Sequence, residues 1–309
     1  MGTPEFAVAS LDALVNSKHD IVGVITVPDK AAGRGKKIRY SAIKEYALEH
    51  SIRLFQPEKL KNEEFIESIT TLNADLFVIV AFRMLPKVVW SIPKYGTFNI
   101  HASLLPQYRG AAPINHAIIN NETESGLTTF FIDEEIDTGK IIMQQKISIS
   151  ENDNAGILHD NLMELSREIV IKTCDIIEKG DFKLISQQQL VESELKSAPK
   201  IFKQDCRIST DSTIENAHNL VRGLSPYPAA FIELVSPEGK IFALKIYKTS
   251  IENNPSEIGR IYTDNKTFIG LGLENGRLIV YDLQLQSKNR MTIKAFLSGF
   301  NISNEWKWQ

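Results

Sequence analysis

Two uninterrupted apolar runs, IVGVITV at 21–27 and LFVIVAF at 76–82, set the strongest limit on how this chain can fold. A strand that is apolar at every position has no solvent face. It needs cover on both sides, which is the pattern of a parallel sheet held between helical layers. The intervening segments supply those layers. Residues 3–17 read as a helix, with Thr3 as cap, Pro4 in the first turn and a stripe of Phe6, Ala9, Leu11 and Leu14. Helices are also expected near 41–51 and 62–72, after Pro86, within 110–121 and over 154–179. Strands are expected over 52–56, 97–101, 127–132 and 141–149. Alternation of this kind predicts an α/β domain built on a doubly wound, mainly parallel sheet. The chain opens on the strand-to-helix turn GTPEF, where such a sheet has a first strand. Either the true start lies upstream or the sheet lacks that strand; an upstream start is expected.

The pattern changes after about 180. QQQLVESELKSAPK at 187–200 is polar and reads as a linker. A helix near 212–223 follows, then short apolar runs punctuated by Gly and Asn, the mark of a small β-barrel or curled sheet. Residues 200–309 hold 14 Lys and Arg against 11 Asp and Glu, leaving 21 against 27 in residues 1–199. A mildly basic tail on an acidic body is compatible with a polyanionic partner. No apolar run approaches the ~20 residues of a membrane span. The start lacks the basic region of a signal peptide. Cys174 and Cys206 are too few for a disulfide framework, which suits a reducing compartment. Without HExxH or CxxC spacing, a metal centre is not expected.

In open α/β sheets ligands bind beyond the carboxyl ends of the strands. Asn99 and His101 stand at one such end, and DEEIDTG at 133–139 follows another strand. If the two ends converge, Asn99, His101 and Asp137 share a crevice. That trio suits acyl transfer to an amine. The carbonyl oxygen gains negative charge as the amine attacks, and the Asn amide and a cationic His are donors aimed at it. The His can also protonate the leaving nitrogen, and a carboxylate nearby favours its charged form. GRGKK at 33–37 is neither a P-loop nor a dinucleotide fingerprint; its glycines and cations could hold phosphate, or it is a mobile solvated loop.

GTPEFA, PDKAAGRGKK, NIHASLLPQYRGAAPI, IDTG and RGLSPYPAAF occur in the order found in the methionyl-tRNA formyltransferases, a branch of the enzymes that use 10-formyltetrahydrofolate. The chain resembles that family over nearly its whole length. The resemblance implies a Rossmann-like formyltransferase domain over 1–183, a linker over 184–202 and an OB-like barrel over 203–309 that binds tRNA. It implies formyl transfer from folate nitrogen to methionine on initiator methionyl-tRNA, by a cytoplasmic, metal-free monomer. Asn99, His101 and Asp137 fall on the family's catalytic positions, 36 residues separating His101 from Asp137. Phe82, Arg83, Met84, Leu85, Ser103, Leu104, Leu105, Pro106 and Asp133 are expected to line the folate cleft, whose apolar lip suits a flat pterin. Arg34, Gly35, Lys36 and Lys37 are expected at RNA, with Arg109 either facing substrate or bracing its turn. VAFRMLP is one residue shorter than the common form, and the family's apolar strand before GTP is absent. The same trio also serves amino-sugar-nucleotide formyltransferases and formyl-folate hydrolases, and a non-catalytic tRNA-binding protein is the alternative of another class.

Overall fold

The first helix, α1 (Glu5–Val15), has Pro4 rather than Thr3 at its cap position, with no side-chain cap hydrogen bond, and turns Phe6, Ala7, Ala9, Leu11 and Leu14 inward. In the computed structural model, residues 1–32, 37–180, 182–190 and 194–309 are described. They divide into two compact units. One comprises Met1–Gly110, Ser125–Ile147 and His159–Ser197; the other comprises Ala111–Glu124, Ser148–Leu158 and Ala198–Gln309.

In the first unit, β1 (Val24–Ile25), β2 (Lys30–Ala32) and β3 (Lys37–Arg39) lead into α2 (Ala42–Glu49). β4 (Leu54–Phe55), α3 (Glu63–Thr70), β5 (Phe77–Val80), α4 (Lys87–Trp90), β6 (Thr97–His101) and β7 (Arg109–Gly110) follow. Local chemistry starts the helices where expected: the Ser41 hydroxyl accepts from Lys44 N–H and the Asn62 carbonyl from Phe65 N–H. β1 pairs with β4, and β5 with β6, both in parallel. After α5 (Pro113–Ile119), which belongs to the second unit, β8 (Glu124–Phe131) runs antiparallel to β6, and β9 (Ile141–Ser148) lies beyond it. The helix α6 (Ala155–Lys179) follows.

Two expectations change. The apolar run at 21–27 is a ladder only over Val24–Ile25, because β4 offers it just Leu54 and Phe55. On its other side Gly2 N–H donates to Ile25 O at 3.1 Å, while Val80 N–H donates to Met1 O at 3.0 Å. Met1 and Gly2 thus bridge β1 and β5 at the place of a first strand. Beside them is a cavity of about 130 Å3 lined by Ala7, Leu11, Leu14, Phe77 and Val78 among others. Second, the flanks of the 28–37 segment are not a loop: Lys30 pairs with Arg39, Ala31 with Ile38 and Ala32 with Lys37. Arg34, Gly35 and Lys36 lie outside the described residues.

The second unit is built around α7 (Ile214–Leu224) and a seven-stranded antiparallel sheet. The sheet runs from Ile261–Thr263 through Ile269–Leu273, Gly276–Leu285, Ile241–Glu252 and Ala230–Val235 to Lys307–Trp308, and its seventh strand, Met291–Thr292, pairs beside Gly276–Leu285. Trp308 N–H donates to Gly259 O at 2.9 Å, so the last strand returns beside the first and the sheet nearly closes as an OB-like barrel. Ile208, Val221, Ile232, Leu244, Leu271 and Val280 fill it.

RGLSPYPAAF takes its first two residues from packing. A Cβ on Gly223 would lie 2.4 Å from Ile119 Cγ1 and 3.0 Å from Asn115 O, so only glycine lets α5 and α7 approach. Arg222 is buried and donates to Asp153 O at 2.9 Å, Asn219 Oδ1 at 2.9 Å, Ser150 O at 3.2 Å and Asn121 Oδ1 at 3.3 Å. Arg222→Ala leaves those acceptors without their donor and is expected to lower stability by about 3 kcal/mol, read by chemical denaturation. No helix among the described residues is long and apolar enough to cross a membrane. Both cysteines are buried and unpaired, and burial pushes the Cys174 thiol up to about 12.

Candidate active site

Thr97–His101 is a strand because Phe98 and Ile100 are core residues at alternate positions, 0% and 4% exposed. The period of two then sends Asn99 and His101 to the opposite face together. The neighbouring β5 runs parallel, with Val80 level with Ile100, so residues 82–85 leave the sheet at the same end as His101. Ala81, with φ of 46°, makes the turn there.

The imidazole of His101 is 6% exposed. Its Nε2–H donates to Tyr108 O at 2.8 Å, which leaves Nδ1 directed at Asp137 Oδ2, 3.7 Å away. That separation is longer than a hydrogen bond and is a through-space attraction for an imidazolium. Asn99 is half-buried, and its carboxamide has no hydrogen-bond partner among the described residues. A free amide on the same face as His101 is available to a ligand carbonyl.

Asp137 does not reach His101 in the way the strand ends suggested. β6 and β8 are antiparallel, with His101 opposite Thr128 and Phe98 opposite Phe131, so their carboxyl ends lie at opposite ends of the pair. The loop after β8 carries Asp137 back. Asp133 shapes that loop: its Oδ1 accepts from Glu135 N–H at 3.1 Å and Thr138 Oγ1 at 2.7 Å, an Asx-type turn on an exposed carboxylate. Asp137 sits in left-handed backbone, φ 57°, and its Oδ2 accepts from Gly110 N–H at 3.0 Å. Gly139 closes the loop against β8, where a Cβ would lie 1.6 Å from Phe131 O.

The 103–110 lip is braced from below. Leu105 is 2% exposed and packs with Phe130 and Ile141. Its N–H donates to Thr128 Oγ1 at 3.0 Å, while that hydroxyl donates to Ser103 O at 2.6 Å. Gln144 Nε2 donates to Leu105 O and Thr128 Oγ1, both at 2.9 Å. The Ser103 hydroxyl is turned back to Gln107 O at 2.7 Å, and Pro106 is buried. Ser103, Leu105 and Pro106 therefore support the lip from inside, while Leu104 is half-buried. After β5, Phe82 and Leu85 are partly buried against the core cluster that contains Phe65, Ile69, Phe77 and Val89, Met84 is 71% exposed, and Arg83 donates to Pro57 O and, at 3.0 Å, to Glu58 O. Arg109 braces its turn: its Nε and Nη2 donate to Gln187 Oε1 at 3.0 and 2.5 Å. Lys37 opens β3. Thr128, Gln144 and Gln187 escape sequence reasoning, since each sits in a polar or alternating run that carries no motif.

Residues 1–174 match the family described as "Formyl transferase" and residues 200–301 match "Formyl transferase, C-terminal domain". A protein of Bacteroides fragilis named methionyl-tRNA formyltransferase is 51% identical over 310 residues, covering 99% of this chain and 96% of that one. One of the same name from Flavobacterium johnsoniae is 48% identical over 309 residues, covering 99% and 97%. Among solved structures, WlaRD, a sugar 3N-formyl transferase in the presence of dTDP and 5-N-formyl-THF, shares the fold with a TM-score of 0.63 at 24% identity, covering 93% of this chain and 97% of that one. The N-formyltransferase of Helicobacter canadensis, in complex with folinic acid and dTDP-3-aminofucose, shares it with a TM-score of 0.58 at 24% identity, covering 90% and 96%. With both domains matched in order and half of all residues shared along the full length, the chain belongs to the formyl transferase family, in its methionyl-tRNA formyltransferase branch.

Proposed function

We propose that this protein transfers the formyl group of 10-formyltetrahydrofolate to the amino nitrogen of methionine on charged initiator tRNA. The observation that carries this reading is the approach of His101 Nδ1 to Asp137 Oδ2 on the face that also presents Asn99. The methionyl amine attacks the formyl carbon, and the bond from that carbon to the folate nitrogen breaks. Asn99 donates to the formyl oxygen as it gains charge, and the His101 imidazolium stabilises the same charge. The proton on Nδ1 passes to the departing folate nitrogen. Asp137 holds the imidazolium and accepts, through water, the proton that the attacking amine loses. Phe82, Leu85 and Leu104 supply apolar surface to the folate ring system.

Catalysis is assigned to residues 1–183, with a linker over 184–202 and tRNA binding over 203–309. A charged-tRNA substrate supports a cytoplasmic location, and a monomer is supported by one copy holding every residue the mechanism uses. The test is an acceptor assay: with formyl-folate, purified protein should formylate charged initiator tRNA. Formylation of a sugar amine instead would overturn the substrate assignment.

Arg34, Lys36 and Lys37 are proposed to meet the tRNA backbone. Each phosphate contact contributes counterion release, so Arg34→Ala should weaken tRNA binding and reduce the slope of log affinity against log salt by about 1. Equal slopes for parent and variant, measured by filter binding across salt, would rule out that contact.

A further inference from the structure

We propose that Gln187 is a positioning residue of the formyl-transfer site, one that sets the Asp137 carboxylate beside the His101 imidazole; this rests on the functional reading above. Gln187 opens a short 3-10 turn, Gln187–Leu190, in a stretch of sequence that reads as linker. It is nonetheless 2% exposed. A buried amide must satisfy all its hydrogen-bonding groups, and this one does. Its Oε1 accepts from Arg109 Nε at 3.0 Å and Nη2 at 2.5 Å. Its Nε2 donates to Asp137 O at 2.8 Å and Gly139 O at 2.9 Å. Arginine donors on one side and carbonyl acceptors on the other leave a single orientation for the amide.

The two carbonyls bracket Thr138, so the Nε2 group grips the backbone that carries the Asp137 carboxylate. That backbone needs gripping. A non-glycine residue at φ 57° lies in a sparsely populated basin and persists only where its surroundings over-determine it. The Oε1 group holds the other half of the site. Arg109 precedes Gly110, whose N–H donates to Asp137 Oδ2 at 3.0 Å. The chain of contacts Gln187–Arg109–Gly110–Asp137–Gln187 is closed, and one side chain governs both the backbone under the carboxylate and the donor against it. Released from this ring, Asp137 can relax toward ordinary backbone angles and draw its charge away from His101.

The experiment measures formyl transfer from formyl-folate to charged initiator tRNA by the full chain carrying Gln187→Met or Gln187→Glu. The Met variant keeps the length and removes every hydrogen bond. The Glu variant keeps the acceptor for Arg109 but turns a second oxygen toward two carbonyl oxygens. Both should lower kcat by about 10- to 100-fold, the effect of misplacing a reacting group by an ångström. KM for both substrates should move only a few-fold, and the pH profile of kcat should change. In a His101→Ala background the same changes should remove little more, because they act through that residue. If Gln187→Met melts early, Gln187→Glu, the size of the native side chain, carries the test. Unchanged kcat in the folded variants, or losses that multiply in full with that of His101→Ala, would overturn the proposal. An inactive parent would remove the functional reading with it, whereas an active parent indifferent to Gln187 ends this proposal alone.

Discussion

His101→Ala should reduce the rate of formyl transfer by about 10²–10³, the loss typical for one acid or one oxyanion donor. The imidazole is expected to fill both roles, and nothing else in the site replaces its proton. A 10² loss corresponds to about 2.7 kcal/mol of transition-state stabilisation. Stability should suffer less. The variant removes the Nε2–H that now meets Tyr108 O at 2.8 Å, the loss of one buried hydrogen bond, worth about 0.5–1.5 kcal/mol. Affinity for tRNA should stay within a few-fold, since His101 is 6% exposed and belongs to the sheet rather than to a basic surface. Single-turnover rates beside filter binding separate the two effects. A variant that turns over at the parent's rate would dismiss the imidazole from the chemistry.

The second large effect is expected from a residue with no chemistry of its own. Gly139→Ala would place a Cβ 1.6 Å from Phe131 O and 2.9 Å from Phe131 C, both backbone atoms of a paired strand. Neither can rotate aside as a side-chain end would. The connection between β8 and β9 must open, and with it the Gly139 and Asp137 carbonyls leave Gln187. We expect a destabilisation of about 3 kcal/mol, at the upper end for overpacking. The folded fraction should turn over about 10²-fold slower, because Asp137 moves with the loop. Gly299→Ala is the control, since a Cβ there meets nothing within 4 Å. A Gly139→Ala protein that melts and turns over like the control would show that the loop has more room than its backbone contacts imply.

Segments with local causes are legible in the chain. Ser41, Asn62 and Thr213 cap α2, α3 and α7, each hydroxyl or amide oxygen accepting a backbone N–H three residues on. The alternation in TFNIH announces both the core face of β6 and the polar face that carries Asn99 and His101. The apolar run at 21–27 is less well read, because a ladder is as long as its partner, and β4 pairs for only two residues. The role of Arg109 is similarly outside local reach. Whether it faces substrate or braces its turn depends on a residue 78 positions away, Gln187.

The alternation of strands and helices, the face of β6 that holds the reactive pair, and the family can each be read along the chain, because each rests on neighbouring residues or on motifs in order. That Asp137 arrives through a returning loop rather than a shared strand end, that Arg222 clasps its surroundings, and that a glutamine in a polar stretch is buried at the site emerge only in the folded chain. Those outcomes depend on partners brought together across long intervals of chain, and the free energy of such a contact is set by what surrounds it, which no local pattern records.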